Sequence, residues 1–235
     1  MKFFNRGLYA LILTFFFQTQ LVAEYLYKDE VIFNPDFAAE VNKLGSELYE
    51  KTGISLRLVM IRELKDKQTV VEYERELMKD FSQPTILLTF VELNSKIDIL
   101  VSDASLYKFF DRQQVLSPVA SPIQAFVMAL FYSDSFSSFK ENAGNYGGTI
   151  LPLLAGKAKK GELLGKYSGS MFNGYADIAE QVAASKNIEL VNAVGNANKY
   201  TILVIKILFY GTILIALYMY IKRKLYMKRH NIELK

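Results

Sequence analysis

The chain of 235 residues predicts an α/β fold: a small mixed sheet flanked by helices, set between a signal peptide and one C-terminal transmembrane helix. Three observations predict it. Helical and strand periodicities alternate between residues 34 and 101. The run TILVIKILFYGTILIALYMYI, Thr201 to Ile221, supplies the roughly 20 apolar residues that a helix needs to cross a hydrocarbon core of about 30 Å. At the other end, Lys2 and Arg6 precede the apolar core Gly7 to Phe17 and the polar exit QTQLVA, which is the pattern of a secretory signal.

Taken in order, residues 1–23 are expected to be the signal, cleaved after Ala23 or retained as an N-terminal anchor, since Leu21 is not the small residue preferred before the cut. Asn34-Pro35-Asp36 then opens the first strong element: Asn34 as cap, Pro35 in the first turn, Asp36 at the positive end of the dipole. Phe37, Val41, Leu44 and Leu48 recur at helical spacing, and Gly53 sits where the helix should stop. Ile54 to Ile61, rich in branched residues, predicts a strand. Val70, Tyr73, Leu77 and Phe81 predict a helix over Thr69 to Phe81, ended by Pro84. TILLTFV, Thr85 to Val91, is the near-continuous apolar run of a central strand. Asn94-Ser95 turns the chain into a second hairpin strand, where Ile97, Ile99 and Val101 alternate toward an edge.

Beyond residue 101 the pattern is mostly helical. Ser121 to Tyr132 predicts a buried helix after Pro122, and a further helix is expected across Thr149 to Ala155. Gly156 to Gly169, GKAKKGELLGKYSG, reads as a linker without an apolar face. Phe172 to Lys186 is amphipathic through Phe172, Tyr175, Ile178 and Val182, and suits either packing on the domain or a membrane surface. The expected division is therefore 24–155 for the exported domain, 156–200 for linker and amphipathic helix, 201–221 for the span and 222–235 for the tail.

Charge fixes the orientation. Lys222, Arg223, Lys224, Lys228 and Arg229 follow the span at once, and basic residues gather on the cytoplasmic side. The protein is thus expected in the inner (cytoplasmic) membrane as a single-pass protein, its N-terminal domain in the periplasm and its C-terminus in the cytoplasm. The signal, Lys206 and the tail account for more than the whole net charge of +4, so the exported part is mildly acidic. That gives no reason to expect nucleic acid as a partner. The bilayer and an envelope protein are the expected partners.

Chemistry is restricted by composition. There is no cysteine, which excludes disulfides, cysteine metal sites and thiol nucleophiles. The single histidine, His230, lies in the tail, so a Ser-His-Asp triad is excluded from the exported part.

The segment from Phe33 to about Ala155 resembles the TPM domain family, which includes thylakoid lumen phosphatase-like and photosystem-repair proteins. The matching features are VNKLGSELYEKTGISLRLVMI, TVVEYERELMKDF, TILLTFVELNSKIDILVS and the later GNYGGTILPLLAG. The resemblance implies a signal peptide and C-terminal membrane helix, as in bacterial relatives. It also implies divalent-metal binding and, in some members, acid phosphatase activity. Where the family carries a Gly-Tyr-Gly-Leu-Glu-Gly-like turn, this chain has SDASLYKFFDRQQVL, Ser102 to Leu116.

Asp98, Asp103 and Asp111 are the acids nearest that loop, and their oxygens are what calcium or magnesium requires; the other reading is a solvated strand end and helix face. No other cofactor is expected. Leu106, Phe109 and Phe110 form an apolar stripe that suits a lid or partner surface, or core packing. Asn142 to Gly148 has the glycines of a phosphate loop without its Gly-Lys-Ser/Thr ending, and reads better as a turn. Ser168 to Gly174 reads as the start of a helix capped by Ser170 or Asn173. Lys206 near the outer end of the span is either functional or reaches the headgroups, with Tyr210, Tyr218 and Tyr220 partly interfacial.

Two functions follow: an accessory, assembly or maintenance factor for an envelope protein or complex, or a metal-dependent phosphatase-like hydrolase with Asp98 and Asp103 as ligands. A transporter accessory subunit is a third, resting on Lys206 and one helix.

Overall fold

The structure is a computed structural model that describes residues 24–159, 161–193 and 195–229, with the side chains of 195–205 and 228 left out. The signal expected over 1–23 lies outside the described residues. The chain divides into two compact units, Met1–Asn192 and Ala193–Lys235.

The first unit is built on a four-stranded mixed sheet in the order β1-β2-β3-β4. Its strands are β1 (Leu26–Asp29), β2 (Ser55–Ile61), β3 (Thr85–Val91) and β4 (Lys96–Val101). β1 runs parallel to β2 and β2 parallel to β3, while β3 and β4 form an antiparallel hairpin that pairs Leu88 with Ile99 and Thr89 with Asp98. Parallel neighbours need a long crossover. Helix α1 (Pro35–Thr52) supplies the first and α2 (Val70–Met78) the second.

Both helices start and stop for reasons written in their ends. The Asn34 side chain accepts from the Asp36 amide, and Gly53 leaves α1 at φ 72°, a left-handed conformation that glycine adopts without penalty. Thr69 and Glu72 close a reciprocal capping box on α2. α2 ends at Met78, three residues short of the expected Phe81.

β2 and β3 are buried along their whole length. Val59, Ile61, Leu87 and Val91 pack with Val70 of α2 on one face. On the other, the Tyr175 hydroxyl donates to the Leu56 carbonyl (2.8 Å) from helix α7 (Leu163–Ser185), which also packs against α1. Gly45 of α1 is required there, because a methyl group would collide with Tyr25 and the Tyr175 hydroxyl.

Four differences from the sequence reading are physical. β1 was not expected; it is held by the Asn42 side chain, which accepts from the Tyr25 (2.6 Å) and Leu26 (3.1 Å) amides. Arg57, taken as the polar position of an alternating strand, is buried with its guanidinium 4.3 Å from the Phe81 ring centre and 5.6 Å from that of Tyr27. α7 begins at Leu163, inside the expected linker, and its buried face reaches Ser170 and Val182, so the folded unit extends past 155 to Asn192. Ser170 and Asn173 therefore lie inside a helix rather than capping one.

The remaining elements are a 3₁₀ helix (Ala104–Phe109), α3 (Arg112–Val115), α4 (Pro122–Tyr132), α5 (Phe136–Gly144) and α6 (Leu151–Ala155). α4 was expected to be buried. It is exposed except at Ala125 and Ala129.

The described residues of the second unit contain one helix, α8 (Gly195–Arg229). Among the described residues no helix is long and apolar enough to cross a membrane. The span expected over 201–221 includes residues 201–205, which lie outside the described side chains.

Candidate functional site: a buried carboxyl and an adjoining groove

Thr89 and Asp98 are paired across the β3–β4 hairpin. Glu74 of α2 acts on the same pair from a position with none of its surface exposed. It lies four residues after Val70, on the face of α2 that packs. Burial raises its carboxyl pKa most; the Thr89 hydroxyl lowers it, the Asp98 charge raises it and the Arg112 charge lowers it, leaving it at about 8. At neutral pH Glu74 is therefore protonated. Neither of its oxygens, nor the Thr89 hydroxyl, makes a hydrogen bond of ordinary geometry.

Arg112, the first residue of α3, joins this pair to the surface. Its Nη2 donates to Asp98 Oδ1, and its Nε donates to the Ile99 carbonyl at 3.0 Å. The Tyr107 hydroxyl donates to the same carbonyl at 3.2 Å. The exposed edge of β4 is thereby covered by the segment that follows it.

On the outer side of Arg112 lies an open groove of about 900 Å³, lined by Tyr107, Phe109, Phe110, Arg112 and Gln181 among others. Two ammonium groups flank Phe109, with Lys108 Nζ 4.9 Å and Lys186 Nζ 5.0 Å from the ring centre. The groove wall is fixed by amide contacts between α3 and α7. Gln181 Nε2 donates to Gln114 Oε1 (2.6 Å) and to Asp177 Oδ1 (3.1 Å), and Gln181 Oε1 accepts from the Asp111 amide (2.8 Å).

The three acids singled out from sequence have separate duties. Asp98 pairs with Arg112. Asp103 caps the 3₁₀ helix through the Ser105 amide (2.8 Å), and Asp111 caps α3 through the Gln114 amide (2.9 Å). Among the described residues no group of three or more His, Cys, Asp or Glu is placed to hold a metal ion. Of the apolar stripe, Leu106 and Phe110 are buried, so Phe109 alone is half-exposed. The Asn142 to Gly148 turn packs on the chain after α3: the Gly148 amide donates to Val119 (3.0 Å) and the Ser117 hydroxyl to Asn145 (3.2 Å).

Lys206, Tyr210, Tyr218, Tyr220, Lys222, Arg223 and Lys224 all lie on α8; the three tyrosines are exposed and Lys222 Nζ stands 6.0 Å over the Tyr218 ring. Comparison with protein-family models and with curated proteins gives no match.

Sequence reasoning missed Glu74 and Gln181. Glu74 was visible as the one charged residue at a packing position of the 70, 74, 77 series. Gln181 carried no signal, because its role depends on α3 meeting α7.

Proposed function

We propose that this chain is an exported, TPM-like domain, anchored in the inner membrane by its C-terminal helix, that acts as an accessory, assembly or maintenance factor for an envelope protein or complex. The observation that carries the reading is the groove beside Arg112. It is open, and it presents tyrosine, phenylalanine, arginine and glutamine, with Tyr and Arg the residue types that dominate binding energy at protein interfaces. Arg112 uses Nε and Nη2 to hold Ile99 and Asp98, and its remaining guanidinium donors suit the backbone carbonyls of an extended segment, while Phe109 offers an apolar face between two cations. The anchor is supported by the run Thr201 to Ile221 and its basic flank, and α8 is continuous through both.

The test is photo-crosslinking of the full chain in membranes with a reactive group at Phe109. A discrete adduct that is lost in a Phe109-neighbouring variant such as Lys186→Glu, at equal expression, is expected. A smear of adducts unchanged by that variant overturns the reading.

One observation favours the alternative, a divalent-metal-dependent phosphatase-like hydrolase: Glu74 is a buried carboxyl beside Asp98 whose pKa is raised to about 8, and strongly raised carboxyl pKa values cluster at catalytic sites. In that reading Asp98 is the oxygen ligand for calcium or magnesium and Glu74 the proton source.

A further inference from the structure

Helix α4 reads PIQAFVMALFY and contains no charged residue. Ile123, Phe126, Val127, Met128, Leu130, Phe131 and Tyr132 are all exposed, Phe131 to 80%, and Phe136 across the turn to 84%. Successive helical residues are about 100° apart. Only the Ala125 and Ala129 stripe is covered, so apolar side chains project over most of the circumference of the helix. α4 pairs with α5, the Phe126 and Phe139 rings meeting edge to face at 5.7 Å. The two form a helical hairpin whose turn carries Phe131, Tyr132 and Phe136.

A contiguous apolar patch of this size marks a surface that water does not normally cover. A docking protein would cover one stripe of the helix. Lipid surrounds a helix on every side not taken by the protein, and aromatic residues at the turn are those that settle at the headgroup level. Asp134 in the turn and Lys140 and Glu141 on α5 set the depth, since buried charges are costly and these remain exposed. The tether brings the bilayer within reach. The first unit ends at Asn192 and the apolar run begins at Thr201. Of the eight residues between them, 195–200 belong to α8, so the link spans at most about 16 Å.

We infer that the α4–α5 hairpin is a second membrane element, lying in the outer headgroup and acyl boundary of the bilayer that holds the C-terminal helix. The inference rests on the anchored reading above for its tether, and on the exposure of α4 for its contact. A hairpin seated in lipid orients the groove relative to the membrane surface, so that partners are presented from a fixed direction.

The cysteine-free chain permits a direct test. Full-length Phe131→Cys, Leu214→Cys and Lys65→Cys variants are labelled with an environment-sensitive fluorophore and reconstituted in phosphatidylethanolamine and phosphatidylglycerol vesicles carrying nitroxide lipids at shallow or deep positions. Expected are a blue shift and loss of emission at position 131 with shallow nitroxide, loss at 214 with deep nitroxide, and neither at 65. Emission at 131 matching that at 65 overturns the inference. A blue shift at 131 without nitroxide quenching also overturns it, because a protein then covers the hairpin. If 214 is unquenched the anchor reading fails, and quenching at 131 decides the hairpin independently.

Discussion

At the level of single residues, Glu74 sets a pH dependence whose sign follows from its surroundings. Its carboxyl titrates near 4.5 when unperturbed and at about 8 in the fold, first because burial penalises the anion. Between those values the folded chain holds a proton that the unfolded chain has released. The contribution to stability is complete below pH 4.5, falls by up to about 1.4 kcal/mol per pH unit as pH rises, and is lost through pH 8. Glu74→Gln preserves the shape without the titration. We expect unfolding of the full-length variant in detergent to be nearly flat from pH 5 to 8, and at pH 8 to exceed the native chain by about 2 kcal/mol. Parallel pH profiles for the two proteins would refute the buried acid. The same pair of proteins tests the hydrolase reading: magnesium-dependent turnover of phosphate esters by the native chain, abolished by Glu74→Gln, is its required signature.

At the level of elements, one carboxylate closes the first unit. Glu47 of α1 accepts from the Val191 amide (2.6 Å), the Asn192 amide (2.8 Å) and the Asn192 side chain (2.8 Å), and pairs with Lys51 Nζ at 2.7 Å. Its partial burial works against ionisation, but Lys51, Val191 and Asn192 together pull its pKa to about 2. A lowered pKa makes the clamp fully effective above about pH 4.5 and removes it as pH falls toward 2. Glu47→Gln should cost about 1–2 kcal/mol at neutral pH and should speed hydrogen exchange at Val191 and Asn192 while the β2 and β3 amides stay protected. Equal exchange at 191 and 192 in both proteins would remove the clamp. No sequence pattern announces it, since Glu47 is one of many surface acids at helical spacing. α1, β2, β3 and β4 were legible because capping residues and apolar periods act locally. β1 was not, being four residues whose partner lies across the sheet. The first turn of α7 was hidden by a glycine and lysine composition that only packing against α6 and α1 overrides. α4 misled in the opposite direction: apolar composition reports what a helix prefers to touch, and cannot say whether that is protein or lipid. In the site, Asp98 was legible as an acid near the hairpin, whereas its partner Arg112 was assigned nothing because the pair forms only when α3 folds back on β4.

For the whole molecule, the distribution of charge makes a prediction that neither unit makes alone. In the proposed topology the basic residues after Ile221, six Lys or Arg against Glu233, would stand opposite a mildly acidic exported part. Translocating the tail would carry that positive cluster across the membrane against the potential, at about 2.3 kcal/mol per charge per 100 mV. Retaining it while exporting the acidic domain carries no such penalty, which is the physical content of the positive-inside preference. In spheroplasts of a bacterial host, full-length Lys67→Cys should therefore react with a membrane-impermeant maleimide from outside, and Met227→Cys only after permeabilisation. Both substitutions sit on a chain with no other thiol, so the signal belongs to the chosen site. Labelling of position 227 from outside with protection of 67 would invert the topology. Labelling of both before permeabilisation would remove the proposed span, and with it the proposed membrane tether.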